Sequence, residues 1–435
     1  MEESRVMNFK VLKKNHLKRN ILIGVGVIVI ISACVLTFTF AKYRNTQSIQ
    51  IAKGTINFNA FDIKLTTYFN NELLNDFPDK ETVAFLNATC DNGASITFDT
   101  SNWKIELSNL TKKGTKCNIY FTEKIPAADV ILANRTVQTR TFPVDLSTSL
   151  SGTNGLGDIY KAEDDDGTTY YFAGNPTNNW ILFGGYYWRI IRINGDGTIR
   201  ILYNGKSTSA TGTETQIGKS AFNSNTTFEG NTSYYVGLKY TPGEQHGTST
   251  DSTILTALNN WYISNLSSFE NYIDKDAGFC SDREIKNGTR WDMTGGWHYY
   301  AADVRLRSNL NPTFKCNYDD DLLSVSKKSL SYPIGLITVD EAVYAGLSIY
   351  KGATTNNYLY NGEYYWTMTP RYFEVITSLY AGYPAVFIVD STGYFSYRDD
   401  LRTEEGIRPV INLKADVELT GMGTASDPYV VKGAN

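Results

Sequence analysis

Side chains that could perform acid–base or nucleophilic chemistry are few in this 435-residue sequence. Asp340 and Glu341 form an adjacent pair of carboxylates, and paired carboxylates are the catalytic groups of glycoside hydrolases. They follow Thr338, however, and the Thr-x-x-Glu pattern is a capping box that opens a helix, which favours a structural role. A Ser-His-Asp triad would need His246 or His298, and no Gly-x-Ser-x-Gly motif presents a nucleophile. We therefore assign no catalytic residue and expect no enzymatic activity.

Metal-binding patterns are also weak. The acidic runs at 163–166 and 319–321 offer the oxygen ligands that Ca²⁺ prefers, but neither has the spacing of an EF-hand. The chain contains three His residues, and its Cys residues lack the spacing of a zinc site. We interpret the acidic runs as solvated loop charges, and the sequence predicts neither a metal ion nor another cofactor.

One segment determines the compartment. Residues 21–41 are uncharged and largely apolar, and as a helix they would span roughly 31 Å, about the hydrocarbon thickness of a bilayer. Basic side chains are concentrated in residues 1–20, so this tail stays in the cytoplasm and the bulk of the chain is extracellular. We interpret the run as an uncleaved transmembrane signal anchor of a single-pass protein of the cell membrane. Cleavage after Ala41 and lipidation of Cys34 are the two alternatives.

The exported part carries four Cys residues and an acidic balance. Four Cys residues allow three pairings, and their spacing favours Cys90–Cys117 and Cys280–Cys316, because each pair then falls within one domain. An oxidising exterior supports such disulfides, whereas a strict anaerobe would keep the same thiols reduced. Residues 1–20 hold six basic and two acidic side chains, so a total charge of −4 leaves about −8 on the rest. This acidic balance argues against nucleic acid as a partner.

The exported part divides by composition. Residues 45–122 hold short apolar stretches between turns such as Asp91-Asn92-Gly93, which predicts a small β-sandwich domain. Residues 123–157 are predicted to be a linker, rich in Ser, Thr, Gly and Asn after a short helical segment over 126–132. Residues 158–435 form the larger domain, for which we predict an α+β fold with short antiparallel strands and long loops.

The larger domain contains recognisable element signals. The strongest is a hairpin over 188–203, whose two arms carry apolar residues on both faces and should be covered on each side. Asp251 is a predicted N-cap for a helix over 252–266, and the capping box at Thr338 opens a second helix that closes at Gly346. Arg408 is expected to be partly buried and to organise the fold. Late strands are predicted over 365–368, 385–389, 394–397 and 407–413.

Several ordered blocks resemble a known family. One block is Gly406-Ile407-Arg408-Pro409-Val410-Ile411-Asn412-Leu413, and the others lie at 179–197, 332–341 and 365–370. Across about residues 158–432 these blocks resemble a large, functionally uncharacterised domain of surface proteins from Gram-positive bacteria and gut anaerobes. That family is distantly similar to the C-type-lectin-like fold, which also houses the formylglycine-generating sulfatase modifiers. The C-terminal Cys pair of those enzymes and the calcium-binding motifs of lectins are both missing here, so neither activity is carried over.

The resemblance implies that the loops between Trp366 and Gly406 form the ligand-facing surface. Aromatic and Arg side chains dominate binding hot spots, and this stretch holds several of them. Some of these side chains could instead simply pack against the late strands. The predicted ligand-binding residues are Arg371, Tyr372, Phe373, Tyr380, Tyr383, Tyr397 and Arg398.

Taken together, these features predict a membrane-anchored bacterial surface protein that binds a glycan or a protein without catalysis, as an adhesion protein does. Two alternatives remain from the sequence. One is a cell-wall glycan hydrolase with unrecognised catalytic residues, and the other is a structural subunit of a surface assembly.

Overall fold

The computed structural model divides into two compact units, Met1–Glu123 and Lys124–Asn435. The predicted signal anchor over 21–41 and Cys34 lie outside the described residues. Within the ranges given below, no helix is both long and apolar enough to cross a bilayer. The structure describes residues 63–80, 82–100, 102–142, 159–225, 233–286, 296–327, 329–347, 355–376 and 381–435.

The smaller unit is built from β-strands. They are β1 (Lys64–Phe69), β2 (Glu72–Leu73), β3 (Val83–Cys90), β4 (Ser95–Asp99), β5 (Lys104–Ser108) and β6 (Lys116–Glu123). One sheet has the order β2-β1-β6-β3, and β4 and β5 form a separate hairpin. In β6, Cys117, Ile119 and Phe121 alternate with more exposed residues and are fully buried in the core of this unit. This period of two is the pattern of a strand with one face on the core.

Both predicted disulfides are confirmed by the distances between their sulfur atoms. Cys90 and Cys117 are directly opposite each other on β3 and β6 and are linked within the smaller unit. Cys280 and Cys316 are linked within the larger unit, with a Cα–Cα distance of 5.6 Å.

The larger unit contains nineteen strands and four short α-helices among the described residues. The helices are α1 (Ala127–Leu132), α2 (Thr253–Asn265), α3 (Ala301–Asp303) and α4 (Val339–Tyr344), with 3-10 turns at Gly212–Thr215, Ser233–Val236, Ser267–Tyr272 and Asp319–Asp321 and a π turn at Val304–Ser308. The strands are β7 (Val137–Thr139), β8 (Ile159–Glu163), β9 (Thr168–Phe172), β10 (Trp180–Phe183), β11 (Tyr186–Ile193), β12 (Ile199–Tyr203), β13 (Lys219–Ala221), β14 (Lys239–Tyr240), β15 (Thr250–Asp251), β16 (Phe279–Cys280), β17 (Gly296–Tyr299), β18 (Leu322–Leu323), β19 (Tyr365–Ile376), β20 (Ala381–Val389), β21 (Phe395–Arg398), β22 (Glu404–Gly406), β23 (Val410–Leu413), β24 (Leu419–Thr420) and β25 (Tyr429–Val431).

Two large sheets organise this unit. The nine-stranded sheet runs β24-β25-β10-β11-β9-β8-β7, with β12 joining β11 to β23. The six-stranded sheet runs β13-β22-β19-β20-β21, with β17 added along β19. One cluster of buried apolar side chains includes residues from both sheets and from α2 and α4. The predicted hairpin is confirmed as β11 and β12, and every residue of β12 is buried, as its two apolar faces require.

The predicted helices are found with one change of cap. Ser252, rather than Asp251, is the N-cap of α2, because its side chain accepts a hydrogen bond from the amide of Leu255. Thr338 and Glu341 form both hydrogen bonds of the predicted capping box at α4. The stretch assigned to a linker over 123–157 supplies α1 and β7 to the larger unit, and β7 pairs with β8.

The predicted α+β class with a C-type-lectin-like domain is wrong. The structure is mostly β, with 37% of its residues in strands and 15% in helices. The longest described helix, α2, has only 13 residues. Stretches for which no strand is predicted from the sequence also pair as strands, among them β8, β9 and β17. These stretches are rich in Thr, Tyr and Trp, which fit a pleated, half-buried surface.

Candidate functional site

An exposed group of aromatic rings lies where β17 pairs with β19. Tyr299 is directly opposite Tyr372 in this antiparallel pair, and His298 is opposite Phe373. Because successive side chains of a strand point to opposite faces, Trp297 and Tyr299 share one face of the sheet while His298 lies on the other. His298 is buried and its ring stacks on Phe373.

Tyr372 is the centre of this group. Its ring lies 4.6 Å from that of Trp297, 6.1 Å from that of Tyr299 and 5.4 Å from that of Tyr397. Tyr372 itself is only 2% exposed, whereas Trp297 is 51%, Tyr397 37% and Tyr299 36% exposed. Three partly exposed rings therefore surround a buried one. We call Trp297, Tyr299, Tyr372 and Tyr397 the aromatic face.

Arg371 packs against the ring of Tyr397, a member of the aromatic face. Its guanidinium carbon lies 3.9 Å from the ring centroid of Tyr397, close enough for a cation–π interaction. Its Nε donates to Asp303 at 3.1 Å, so the buried charge is paired. Burial raises the pKa of Asp303, and Arg371 opposes that shift by stabilising the carboxylate. The Tyr397 ring therefore packs on a guanidinium that a buried ion pair holds in place.

The structure brings together three of the seven predicted ligand-binding residues, namely Arg371, Tyr372 and Tyr397. Phe373 directly follows Arg371 and Tyr372 in sequence but is 1% exposed and belongs to the core. Phe373 lies on the opposite side of β19 from Tyr372, so it does not share the face of the exposed rings.

The remaining predicted residues do not belong to the aromatic face. Arg398 forms an ion pair with Glu405, and its guanidinium lies over the ring of Tyr364, away from the four rings of the aromatic face. Tyr383 is half-buried on β20, opposite Glu374. Tyr380 lies outside the described residues.

Trp297 and Tyr299 are not among the binding residues predicted from the sequence. The signal was present in the run Gly296-Trp297-His298-Tyr299-Tyr300, whose large rings alternate with His298 as they would in an edge strand.

A second candidate region is a cavity of about 220 Å³ in the larger unit, lined mostly by charged side chains. We call it the charged cavity. Arg192 donates to Asp164 at 2.7 Å and lies 3.3 Å from Glu341, which also pairs with Arg200. All four side chains are almost completely buried, so each charge depends on its partner rather than on water.

On another wall of the charged cavity, Arg305 holds two carboxylates. It donates to Asp340 at 2.9 and 2.7 Å and to Asp282 at 2.5 Å. Burial raises the pKa of Asp282, and the neighbouring Asp340 raises it further. Burial also acts to raise the pKa of Glu341, but the charges of Arg200 and Arg192 outweigh it and lower that pKa.

These contacts correct one expectation and support another. Asp164 and Asp321, predicted to be solvated loop charges, are buried, Asp164 against Arg192 and Asp321 against Arg283. Distant Arg partners explain this, and no local sequence pattern indicates them. Arg408 is buried as predicted and donates to the carbonyl oxygens of Tyr203 and Leu359.

A further cluster joins His246 to two carboxylates. Its Nδ1 lies 3.1 Å from Asp321 and its Nε2 3.2 Å from Glu284, and its ring stacks on Tyr318. Burial lowers the pKa of His246, but the hydrogen bond and charge of Asp321, helped by Glu284, raise it overall above 6.5. The two carboxylates therefore stabilise the imidazolium form of His246, in which both nitrogens can donate, relative to a free His side chain.

Metal coordination has no support in the described part of the chain, where no group of three or more His, Cys, Asp or Glu side chains is arranged to hold an ion. Comparison of the chain with protein-family models, curated proteins and solved structures finds no match. The resemblance of the C-terminal blocks to bacterial surface-protein domains therefore stays a prediction.

Proposed function

We propose that this chain is a non-catalytic, membrane-anchored surface protein that binds a glycan on its aromatic face. The single observation that carries the proposal is the arrangement of Trp297, Tyr299 and Tyr397 as partly exposed rings around the buried Tyr372. A sugar ring has an apolar C–H face that can pack on such rings, and hydroxyl groups that need polar partners. Exposed aromatic clusters on otherwise soluble surfaces mark interaction sites.

The rigidity of the aromatic face supports binding at low entropic cost. Tyr372 is packed between neighbours, and Tyr397 is fixed by the Arg371–Asp303 pair. A preformed site loses little conformational freedom when its ligand binds.

A glycan fits this face better than a protein partner. Stable protein interfaces bury roughly 800 Å² on each side, and three partly exposed rings supply a small fraction of that. Polar groups also border the rings, since Glu374 is the cross-strand neighbour of Trp297 and Asp399 is near enough to Tyr372 to affect its pKa.

The carboxylates singled out for hydrolysis favour the non-catalytic proposal. Asp340 is held by Arg305 and the amide of Thr313, and Glu341 by two Arg side chains and the amide of Thr338. A general acid needs a proton to give, and the two Arg charges at Glu341 favour its ionised form. The surface location in this proposal depends on residues 1–41 of the sequence.

A glycan array probed with the full chain tests the proposal. We expect a restricted set of glycans to bind, and Tyr397→Ala to weaken binding of the strongest by about tenfold or more, since it removes one exposed ring. Tyr318→Ala is the matched control, because Tyr318 is 42% exposed and lies outside the aromatic face. Absence of glycan binding, or equal loss in both variants, would refute the proposal. If this face bound a protein instead of a glycan, it would be reassigned to protein recognition.

A further inference from the structure

The charged cavity contains more negative than positive charge at its inner wall. Asp282 and Asp340 both bind the single guanidinium of Arg305, which leaves one negative charge without a cationic partner. The other two inner carboxylates, Asp164 and Glu341, are balanced by Arg192 and Arg200. The inner wall therefore carries a net charge of about −1 when all groups are ionised.

The mouth of the charged cavity is more acidic still. Its exposed charged residues are Asp165, Asp166, Asp196, Asp276 and Lys315, four carboxylates against one ammonium. Burial raises the pKa of Asp166, and so do the charges of Asp196 and Asp164, which indicates that these carboxylates repel one another. A cation entering the cavity would relieve this repulsion.

The wall of the charged cavity contains a buried amide, that of Asn194, whose acceptor oxygen has no hydrogen-bond donor in the described structure. Asn194 lines the cavity and is 7% exposed. Its Nδ2 donates to Oγ1 of Thr198 at 2.8 Å and to Oδ1 of Asn412 at 3.1 Å. These two bonds define the orientation of the amide, and its Oδ1 has no hydrogen-bond partner within the described structure. A buried acceptor without a donor costs free energy, which a ligand with N–H groups would recover.

We propose that the charged cavity binds an organic cation through a primary ammonium or guanidinium group. Such a group brings a positive charge that offsets the excess carboxylate and an N–H donor for Oδ1 of Asn194. A metal ion fits less well, because the described side chains include no cluster of three ligands and the inner carboxylates already accept bonds from Arg192, Arg200 and Arg305. This site is separate from the aromatic face and does not depend on the proposed glycan binding.

Isothermal titration calorimetry on the full chain tests the proposal with two pairs of probes. Nα-acetyl-lysine amide and its Nε-acetylated form test a peptide amine, and glucosamine and N-acetylglucosamine test a sugar amine. We expect at least one charged probe to bind at least ten times more tightly than its neutral counterpart. The pair that shows this difference identifies the source of the cation. Equal binding of charged and neutral forms in both pairs would overturn the proposal.

Charge-neutralising variants locate the site. Asp282→Asn should weaken binding of the cation about tenfold or more, because it removes a buried charged acceptor. Asp276→Asn, at the exposed mouth, should weaken it about two- to threefold, and it keeps the test valid if Asp282→Asn fails to fold. Glu106→Gln removes the same charge from an exposed position on β5 of the smaller unit and should leave binding unchanged. Wild-type affinity in a folded Asp282→Asn would overturn the proposal, and if Asp282→Asn does not fold, wild-type affinity in Asp276→Asn would overturn it.

The aromatic face supplies a final control. Trp297→Ala should leave binding of the cation unchanged, because Trp297 does not line the charged cavity. A parallel loss of cation binding in Trp297→Ala would contradict the separation of the two sites.

Discussion

Replacement of Glu341 by Gln should strongly destabilise the larger unit. Among the residues that the structure describes, Glu341 is the only carboxylate paired with Arg200, and their side chains are 4% and 2% exposed. The amide of Gln has nearly the same shape and can still accept from the amide of Thr338, so the capping box is retained and the charge alone is lost.

The magnitude follows from what remains around Arg200. Arg192 keeps Asp164 as a partner, whereas the described contacts left to Arg200 are all uncharged: the carbonyl of Gly278 at 3.3 Å, Asn412 at 3.5 Å and the ring of Phe279. An uncompensated buried charge costs about 3–5 kcal/mol. Solvent screening does not reduce this estimate, because the guanidinium is almost completely buried. We expect the free energy of unfolding of Glu341→Gln to fall by that amount.

Urea denaturation followed by Trp fluorescence measures this change. Six of the seven Trp residues lie beyond residue 124, so the signal reports mainly on the larger unit. Glu404→Gln, an exposed residue of β22, is the matched control and should change stability by less than about 0.5 kcal/mol.

A double variant separates charge loss from loss of packing. Arg200→Met with Glu341→Leu replaces the ion pair by apolar groups, which is often close to neutral for stability. It should therefore be more stable than Glu341→Gln alone. A free energy of unfolding for Glu341→Gln within about 1 kcal/mol of the wild type would refute the assignment of this pair as a buried structural interaction.

Two further predictions concern other parts of the larger unit. Because the pKa of His246 is raised by Asp321 and Glu284, its contribution to stability should be fully present below pH 6.5 and be lost as the pH rises through its folded-state pKa. The stability difference between wild type and His246→Gln, measured by urea denaturation from pH 5.5 to 9, should shrink with rising pH, and a difference that grows would contradict it. Replacing Cys280 and Cys316 by Ser should lower the free energy of unfolding by about 3–4 kcal/mol, because it opens a loop with a sequence separation of 36; an unchanged denaturation midpoint would be the contrary result.

Local signals in the sequence predicted local structure well. The turn at 194–197 between two apolar arms gave the β11–β12 hairpin, and Thr338 with Glu341 gave the cap of α4. The signal in each case spans four residues, the turn at 194–197 and the capping box at 338–341, whose geometry the backbone fixes directly. The Cys pairings were also predicted, since domain boundaries restricted the choice.

The ion pairs and the aromatic face could not be predicted from the sequence, because they depend on contacts between residues far apart in the chain. Arg192 and Glu341 are 149 positions apart, and Arg371 and Asp303 are 68 apart, so no local pattern announces either pair. The resemblance also places the predicted binding residues on loops. In a strand, neighbouring residues face opposite sides, which separates Tyr372 from Phe373 and brings in Trp297 from another strand.

The affinity of the full chain for its best array glycan, compared between wild type, Trp297→Phe and Trp297→Ala by isothermal titration calorimetry, tests the central claim most directly. Trp297 is the most exposed ring of the aromatic face. We predict that Phe, which retains a smaller ring, weakens binding only a few-fold, whereas Ala weakens it by about tenfold or more. Equal affinity in all three proteins, with folding intact by circular dichroism, would contradict glycan binding at the aromatic face.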